Sequence, residues 1–183
     1  MTTPTNHADS ALLVIDVQIG VVADAYQRDE RVANMALAVQ RARGAGVQVI
    51  WIQHNDEHLL RDSNNWLIVP ELEPAPGEPI VHKSFRSAFE ETTLESLLED
   101  LGSGHLYICG AQTNYCVRNT IHAGYERAYD ITLIHDAHTT SDDSYGQWSA
   151  SAEMVINDAN LTYYSYDLPG RVVRISAAAE LFA

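Results

Sequence analysis

Three side chains far apart in the chain, Asp16, Lys83 and Cys116, are of the types that together perform nucleophilic acyl chemistry. A free thiol is only a few per cent ionised at neutral pH. A cysteine nucleophile therefore needs a base to take its proton and positive potential to hold the thiolate. A helix N-terminus and a lysine supply that potential. A carboxylate can accept the thiol proton and later return it to a leaving amine, acting first as general base and then as general acid. Hydrolysis of an acyl bond is the reaction such a set suits. Taken singly, each residue has an ordinary structural reading. Aspartates after strands cap helices or form turns, lysines stand in solvent, and free cysteines serve as small core hydrophobes. Cys109, inside an apolar run, keeps the last of these readings.

The elements around the three residues place them at one edge. Residues 11–15, Ala-Leu-Leu-Val-Ile, form a short continuous apolar run of the kind buried on both faces of a parallel sheet, and the run ends at Asp16. Val32, Met35, Ala36, Val39 and Ala42 recur at helical spacing before Gly44 and Gly46, and residues 47–52 return to strand character. A loop rich in Asn, Pro, Glu and Gly fills 54–79, a length that suits a pocket-shaping segment. Ile80-Val81 reads as the end of a third strand leading to Lys83. Thr92-Thr-Leu-Glu95 has the form of a capping box ahead of a stripe of Leu94, Leu97, Leu98 and Leu101. Residues 105–109 read as a buried strand, and 110–114 as a tight turn into a helix carrying Val117, Ile121 and Tyr125, with Cys116 in its first turn. A strand at 131–134, a polar loop, a helix near 148–157 and a strand near 172–175 complete a βα alternation. The expected fold is a doubly wound, mainly parallel, Rossmann-like α/β sheet with helices on both faces, whose ligands bind beyond the carboxyl ends of the strands. Asp16, Lys83 and Cys116 all fall at such ends.

Composition agrees with one soluble domain over 1–183, with residues 1–10 expected to be flexible. Hydrophobic residues make up 46% and charged residues 20% of 183 positions, which suggests neither disorder nor a coiled coil. A formal charge of −14 offers no basic patch for phosphates, so nucleic acid and anionic membranes are not expected partners, and a small-molecule substrate is. The first ten residues lack the basic and apolar regions of a secretory signal, and no apolar run approaches the roughly 20 residues of a membrane span. A cytoplasmic location is the expectation. Two cysteines alone make a disulfide an improbable staple in a reducing compartment, so each thiol needs its own explanation.

Three segments, Leu-Leu-Val-Ile-Asp16-Val-Gln18, Lys83-Ser-Phe-Arg-Ser-Ala-Phe89 and Gly110-Ala-Gln-Thr-Asn-Tyr-Cys116-Val, occur in this order and together resemble the isochorismatase-like cysteine hydrolases. The resemblance extends over nearly the whole chain. It implies an Asp-Lys-Cys triad at Asp16, Lys83 and Cys116, and a cis peptide between Ala111 and Gln112. It further implies an oxyanion hole from the backbone N–H groups of Gln112 and Cys116, and a homo-oligomeric assembly. No organic cofactor is implied.

Two departures from family patterns narrow the expectation. Nicotinamidases of the superfamily carry an Asp-x-His pair and a later His that bind a metal, whereas this chain has Gln53-His54-Asn55 with His58 following, so no metal site is expected. His54 and His58 alone would be too few ligands for tight binding of zinc, which normally takes three or four. Isochorismatases proper lack the cysteine that Cys116 supplies. Asn114 stands where many relatives have an acid, which removes a negative charge near the thiol. The substrate-binding residues expected are Gln18, His54, Trp66, Phe85, Tyr115 and Tyr145, with Trp148 a further aromatic candidate. The reading is a hydrolase that cleaves a small amide or related C–N bond through a thioester. Its rivals are a Cys-His enzyme using His54, a metal-dependent nicotinamidase-like amidase, and a catalytically silent oligomeric binding protein on the same scaffold.

Overall fold

The computed structural model describes residues 10–182. In chain order the elements are β1 (Ser10–Ile15), α1 (Ile19–Val22), α2 (Arg28–Gly44), β2 (Gln48–His54), β3 (Ile80–Lys83), α3 (Leu94–Asp100) and β4 (His105–Ala111). A π-helical turn (Thr113–Val117) then leads directly into α4 (Arg118–Glu126), followed by β5 (Asp130–Thr139), β6 (Asp143–Tyr145), β7 (Trp148–Ala150), α5 (Ala152–Tyr164), β8 (Asp167–Leu168) and β9 (Arg171–Ser176). Seven strands form one sheet in the order β3-β2-β1-β4-β5-β9-β8. All its pairings are parallel except β8 with β9.

The unbroken apolar run in β1 is explained by burial on both faces. Leu12 and Val14 pack with Val32, Met35 and Val39 of α2 on one side. Ala11, Leu13 and Ile15 pack with Leu94, Leu98, Ile121 and Ala159 from α3, α4 and α5 on the other. Period-two side-chain alternation distributes one strand between two cores, which is why no polar position interrupts it. Beyond β1 the chain winds outward to β2 and β3 in one direction, while β4 and β5 extend the sheet in the other. The order therefore reverses between β1 and β4, and a crevice opens past their carboxyl ends.

Gly110 sits at that reversal. Its φ is +124°, and a Cβ there would lie 2.0 Å from the carbonyl oxygen of Ile15, its register partner on β1. Only glycine allows β4 to approach β1 so closely.

Several expected boundaries move. The region 148–157 is not helical throughout. Residues Asp143–Tyr145 and Trp148–Ala150 pair as an antiparallel hairpin, and α5 begins only at Ala152, where Ser151 accepts the N–H of Met154 and Asp142 accepts that of Ala152. The side chains of Ser151 and Asp142 thereby cap the first N–H groups of the helix and set its start at Ala152. The expected capping box does not close: Thr93 is the N-cap without a side-chain bond, while Thr92 Oγ1 accepts the N–H of Leu94. Of the stretch 1–10 expected to be flexible, residues 1–9 lie outside the described residues, and Ser10 is a buried member of β1. Among the described residues no helix is long and apolar enough to cross a membrane.

Candidate active site

Four neighbouring strand ends deliver the polar groups of the crevice. Asp16 follows β1, His54 closes β2, Lys83 closes β3 directly beside His54, and Cys116 lies in the turn after β4. Asp16 adopts a left-handed backbone conformation (φ 49°), which Asp tolerates better than most residues, and its N–H is held by the Ile52 carbonyl at 2.9 Å. Asp16 and Lys83 are almost wholly buried.

Lys83 Nζ lies 2.7 Å from Asp16 Oδ2, 3.2 Å from Cys116 Sγ, 3.1 Å from the Phe85 carbonyl and 3.3 Å from His54 Nδ1. An ammonium has three protons, so these four acceptors exceed what it can serve at once. A neutral thiol is the weakest of them, and a thiolate would be among the strongest. The ammonium is thus placed to strengthen its bond to sulfur as charge develops there. Asp16 Oδ1 is buried and takes no hydrogen bond from any other described side chain or backbone group, which leaves lone pairs free beside the thiol.

Burial, then the Asp16 charge, push the Cys116 thiol up to about 12, against the pull of Lys83. The sulfur is therefore protonated at rest. Positive potential from lysine and the helix terminus does not by itself create a thiolate here, because the neighbouring ion pair has an anionic member and the site is desolvated. A nucleophilic role for this sulfur would require a base beside it. Cys109 is fully buried, its thiol driven up by burial alone and directed at the Leu13 carbonyl, the position of a core residue.

The turn that carries Cys116 is fixed from both sides. The Ala111–Gln112 peptide is cis. The Gln112 carbonyl accepts the N–H groups of Tyr115 (3.0 Å) and Val117 (3.2 Å), which flank Cys116. Thr113 Oγ1 pairs with Nδ1 of the buried His138 at 2.8 Å, and Nε2 of that ring pairs with Asn160 Oδ1 at 2.9 Å. Asn160 Nδ2 donates to the His135 carbonyl, so its Oδ1 faces His138; Nε2 carries the ring proton and Nδ1 accepts from the threonine hydroxyl. Neither His138 nor Asn160 was marked by the sequence, which put His138 in the polar loop after residues 131–134 and Asn160 past the helix near 148–157, whereas β5 runs on to Thr139 and α5 to Tyr164.

A cleft of about 380 Å³ opens onto Cys116, lined by Asp16, His54, Phe85, Gln112 and Tyr115 among the expected residues, and also by Val21, Asp56, Ser84 and Arg86. Three expected substrate contacts lie elsewhere. Gln18 is buried behind the cleft, where its amide donates to the carbonyls of His54 and Trp66 and accepts the N–H of His54; each polar atom is spent on backbone. Trp66 is folded into the core against His82. Tyr145 is 80% exposed on the β6–β7 hairpin, stacked on Trp148.

His54 is placed next to Lys83 rather than as a partner of the thiol. Its Nδ1 faces the ammonium and its Nε2 faces Asp56 Oδ2 at 3.1 Å, so both ring nitrogens are occupied. Burial would raise the Asp56 carboxyl, but hydrogen bonds from the backbone of His58 and Leu59 and from His54 hold it below the usual range. His58 turns its ring to solvent beside Glu57 and does not join His54. Among the described residues no three His, Cys, Asp or Glu side chains converge as a metal site.

Residues 10–160 match the isochorismatase domain. The chain belongs to the isochorismatase family. The streptothricin hydrolase of Streptomyces noursei is 35% identical to it over 151 residues, covering 78% of this chain and 60% of that protein. Ureidoacrylate amidohydrolase RutB of Enterobacter sp. (strain 638) is 27% identical over 183 residues, covering 77% and 80%. The chain thus spans only 50 to 60% of the length of the two streptothricin hydrolases it matches. A cysteine hydrolase of Pseudomonas syringae pv. phaseolicola 1448A and an isochorismatase of Pseudomonas putida KT2440 share the fold, each with a TM-score of 0.84 at 24% identity over 98% of this chain and 93% of theirs.

Proposed function

We propose that this isochorismatase-family member is a cysteine hydrolase of small molecules that cleaves an amide-type C–N bond through a thioester. The observation that carries the reading is the contact of a buried Asp16–Lys83 pair, 2.7 Å apart, with the sulfur of Cys116 at 3.2 Å from the ammonium, at the mouth of a cleft of small-molecule size. The names of two relatives, a streptothricin hydrolase and an amidohydrolase, support hydrolysis at such a bond.

The steps follow from the geometry. Asp16 takes the thiol proton as Sγ bonds to the carbonyl carbon, and the adjacent ammonium compensates the charge on sulfur. The carbonyl oxygen becomes an oxyanion, for which the N–H groups of Gln112 and Cys116 are the proposed donors. Collapse breaks the C–N bond, and the amine leaves with the proton held by Asp16. Water then attacks the thioester, gives its proton to Asp16, and releases the acid; the sulfur recovers that proton. Because the resting thiol is protonated, a base next to it is required, and Asp16 Oδ1 has the free capacity.

The His54 alternative would need an unoccupied imidazole nitrogen at the sulfur. Both nitrogens are turned to Lys83 and Asp56. A silent binding protein would not need a protonated thiol set against a buried base. Assembly into homo-oligomers remains part of the proposal, with exposed Met154, Leu161 and Tyr164 of α5 as candidate contact residues. The test is rapid-quench mass spectrometry on a panel of primary amides, cyclic amides and carbamates. An acyl adduct on Cys116 during turnover, absent in Cys116→Ala, is expected; turnover with no adduct and an active Cys116→Ala would refute the mechanism.

A further inference from the structure

The cleft contains three charged groups besides Lys83, and two of them are already satisfied. Asp16 is paired with Lys83. Asp56 accepts two backbone N–H groups at 2.8 Å and the His54 ring at 3.1 Å. Arg86 is different: among the described residues its guanidinium has no hydrogen-bond acceptor and no acid partner, only the face of Tyr115, 3.8 Å from its ring centroid.

The guanidinium is nonetheless held in place. Tyr115 precedes Cys116, and its hydroxyl donates to Asp143 Oδ2 at 2.6 Å, which fixes the ring. The loop bearing Arg86 is pinned on one side by Lys83 bonding the Phe85 carbonyl and on the other by the Ala88 N–H bonding Thr120 of α4. Stacking on an aromatic face leaves the in-plane N–H fork of an arginine open, and that fork matches a carboxylate bidentately. Five donors left unused at the rim of a catalytic cleft are a ready complement to an anion.

We propose that Arg86 is a carboxylate-binding subsite, so that the substrates are small amides carrying a carboxylate a few bonds from the scissile C–N bond. The inference rests on the cysteine-hydrolase reading and names its substrate class. One guanidinium, with Lys83 already paired to Asp16, suits a monoanionic carboxylate rather than a phosphate dianion, which would also face Asp56. An ammonium-bearing amide would meet only acids that already have cationic or N–H partners, Asp16 with Lys83 and Asp56 with His54 and two backbone N–H groups.

Two isosteric thiol reagents test this without knowledge of the substrate. Iodoacetate and iodoacetamide both form an S–C bond and release iodide; they are close in shape and differ in charge, and normalisation to glutathione removes their difference in intrinsic reactivity. The measurement is the ratio of their rates at Cys116, followed by peptide mass spectrometry and normalised to glutathione in the same buffer. The native ratio is expected to exceed that of glutathione by about fivefold or more, the factor of an exposed ion pair worth ~1 kcal/mol. It should fall to the glutathione value in Arg86→Gln, persist in part in Arg86→Lys, and shrink at high salt. Propionate should protect Cys116 and propionamide should not. Equal ratios in native protein and Arg86→Gln, with both folded by circular dichroism, would overturn the subsite while leaving the hydrolase reading intact. A Cys116 inert to both reagents would instead overturn the nucleophile assignment, and the subsite with it.

Discussion

Acid should loosen this protein through one buried histidine, and the size of the effect can be worked from its surroundings. His138 is completely buried on β5, and burial drives its pKa down to about 4 from 6.5; the Asn160 hydrogen bond opposes the shift only in part. The native ring stays neutral where the unfolded ring takes a proton. Stability is therefore fully present above about pH 6.5 and is lost as the pH falls toward about 4, below which both states are protonated. A difference of about 2.5 in pKa at about 1.4 kcal/mol each gives roughly 3 kcal/mol, a large share of the stability of one domain. The perturbation is His138→Gln, whose amide can accept from Thr113 and donate to Asn160 but does not titrate. Urea unfolding of both proteins across about pH 4.5 to 7.5 should show the native protein losing about 2 to 3 kcal/mol more than the variant. Subtraction removes the carboxylates and the other histidines common to both. Should the variant fail to fold, NMR titration of the His138 ring in the native protein gives the answer directly. Parallel stability curves, or a ring that protonates near its ordinary value, would refute the reasoning. Because a protonated Nδ1 cannot accept from Thr113, turnover should decline in the same window.

Other consequences follow from the site and the sheet. Asp16→Asn and Lys83→Met should each cut turnover by about 10² to 10⁴-fold or more in steady-state assays, and Lys83→Met should also cost about 3 to 5 kcal/mol in urea melts by stranding the buried Asp16 charge. Wild-type rates in Asp16→Asn with loss in His54→Ala would hand the role of base to His54. Gly110→Ala should cost more than about 4 kcal/mol or abolish folding, since its Cβ would sit 2.0 Å from the Ile15 carbonyl. Gly146→Ala, at φ +60° with nothing within 4 Å, should cost only about 1 to 2 kcal/mol by the same measurement. Dialysis against a strong chelator should leave full activity, with metal content followed in parallel. Loss that zinc, manganese or iron restores, and that His54→Ala abolishes, would reinstate a metal-dependent amidase.

Residue types and periodicity determined the architecture. An unbroken apolar run with an acid at its end makes sense only for a strand covered on both faces, and repeated βα alternation makes the sheet parallel; β1, β2, β4 and β5 were all legible on that basis. The same reasoning set Asp16, Lys83 and Cys116 at strand ends, because where a strand stops is a local property. Which strand ends adjoin is not local. The order β3-β2-β1-β4 was decided by packing between segments distant in sequence, and that order brings Lys83 to 2.7 Å from Asp16 and places His54 against the same ammonium. Polar side chains were the least legible, since an amide or an indole is equally suited to a ligand or to a backbone carbonyl. Gln18 turned inward because the loop after β2 needed its carbonyls and N–H groups paired, and Trp66 packed its ring inward against His82 with no partner for its indole N–H among the described residues, whereas Tyr145 was carried outward by a hairpin whose strands have too little periodicity to announce themselves. Arg86 is the converse case. Its identity was plain in the segment after Lys83, but that its charge has no partner emerged only once every acid around the cleft had found one.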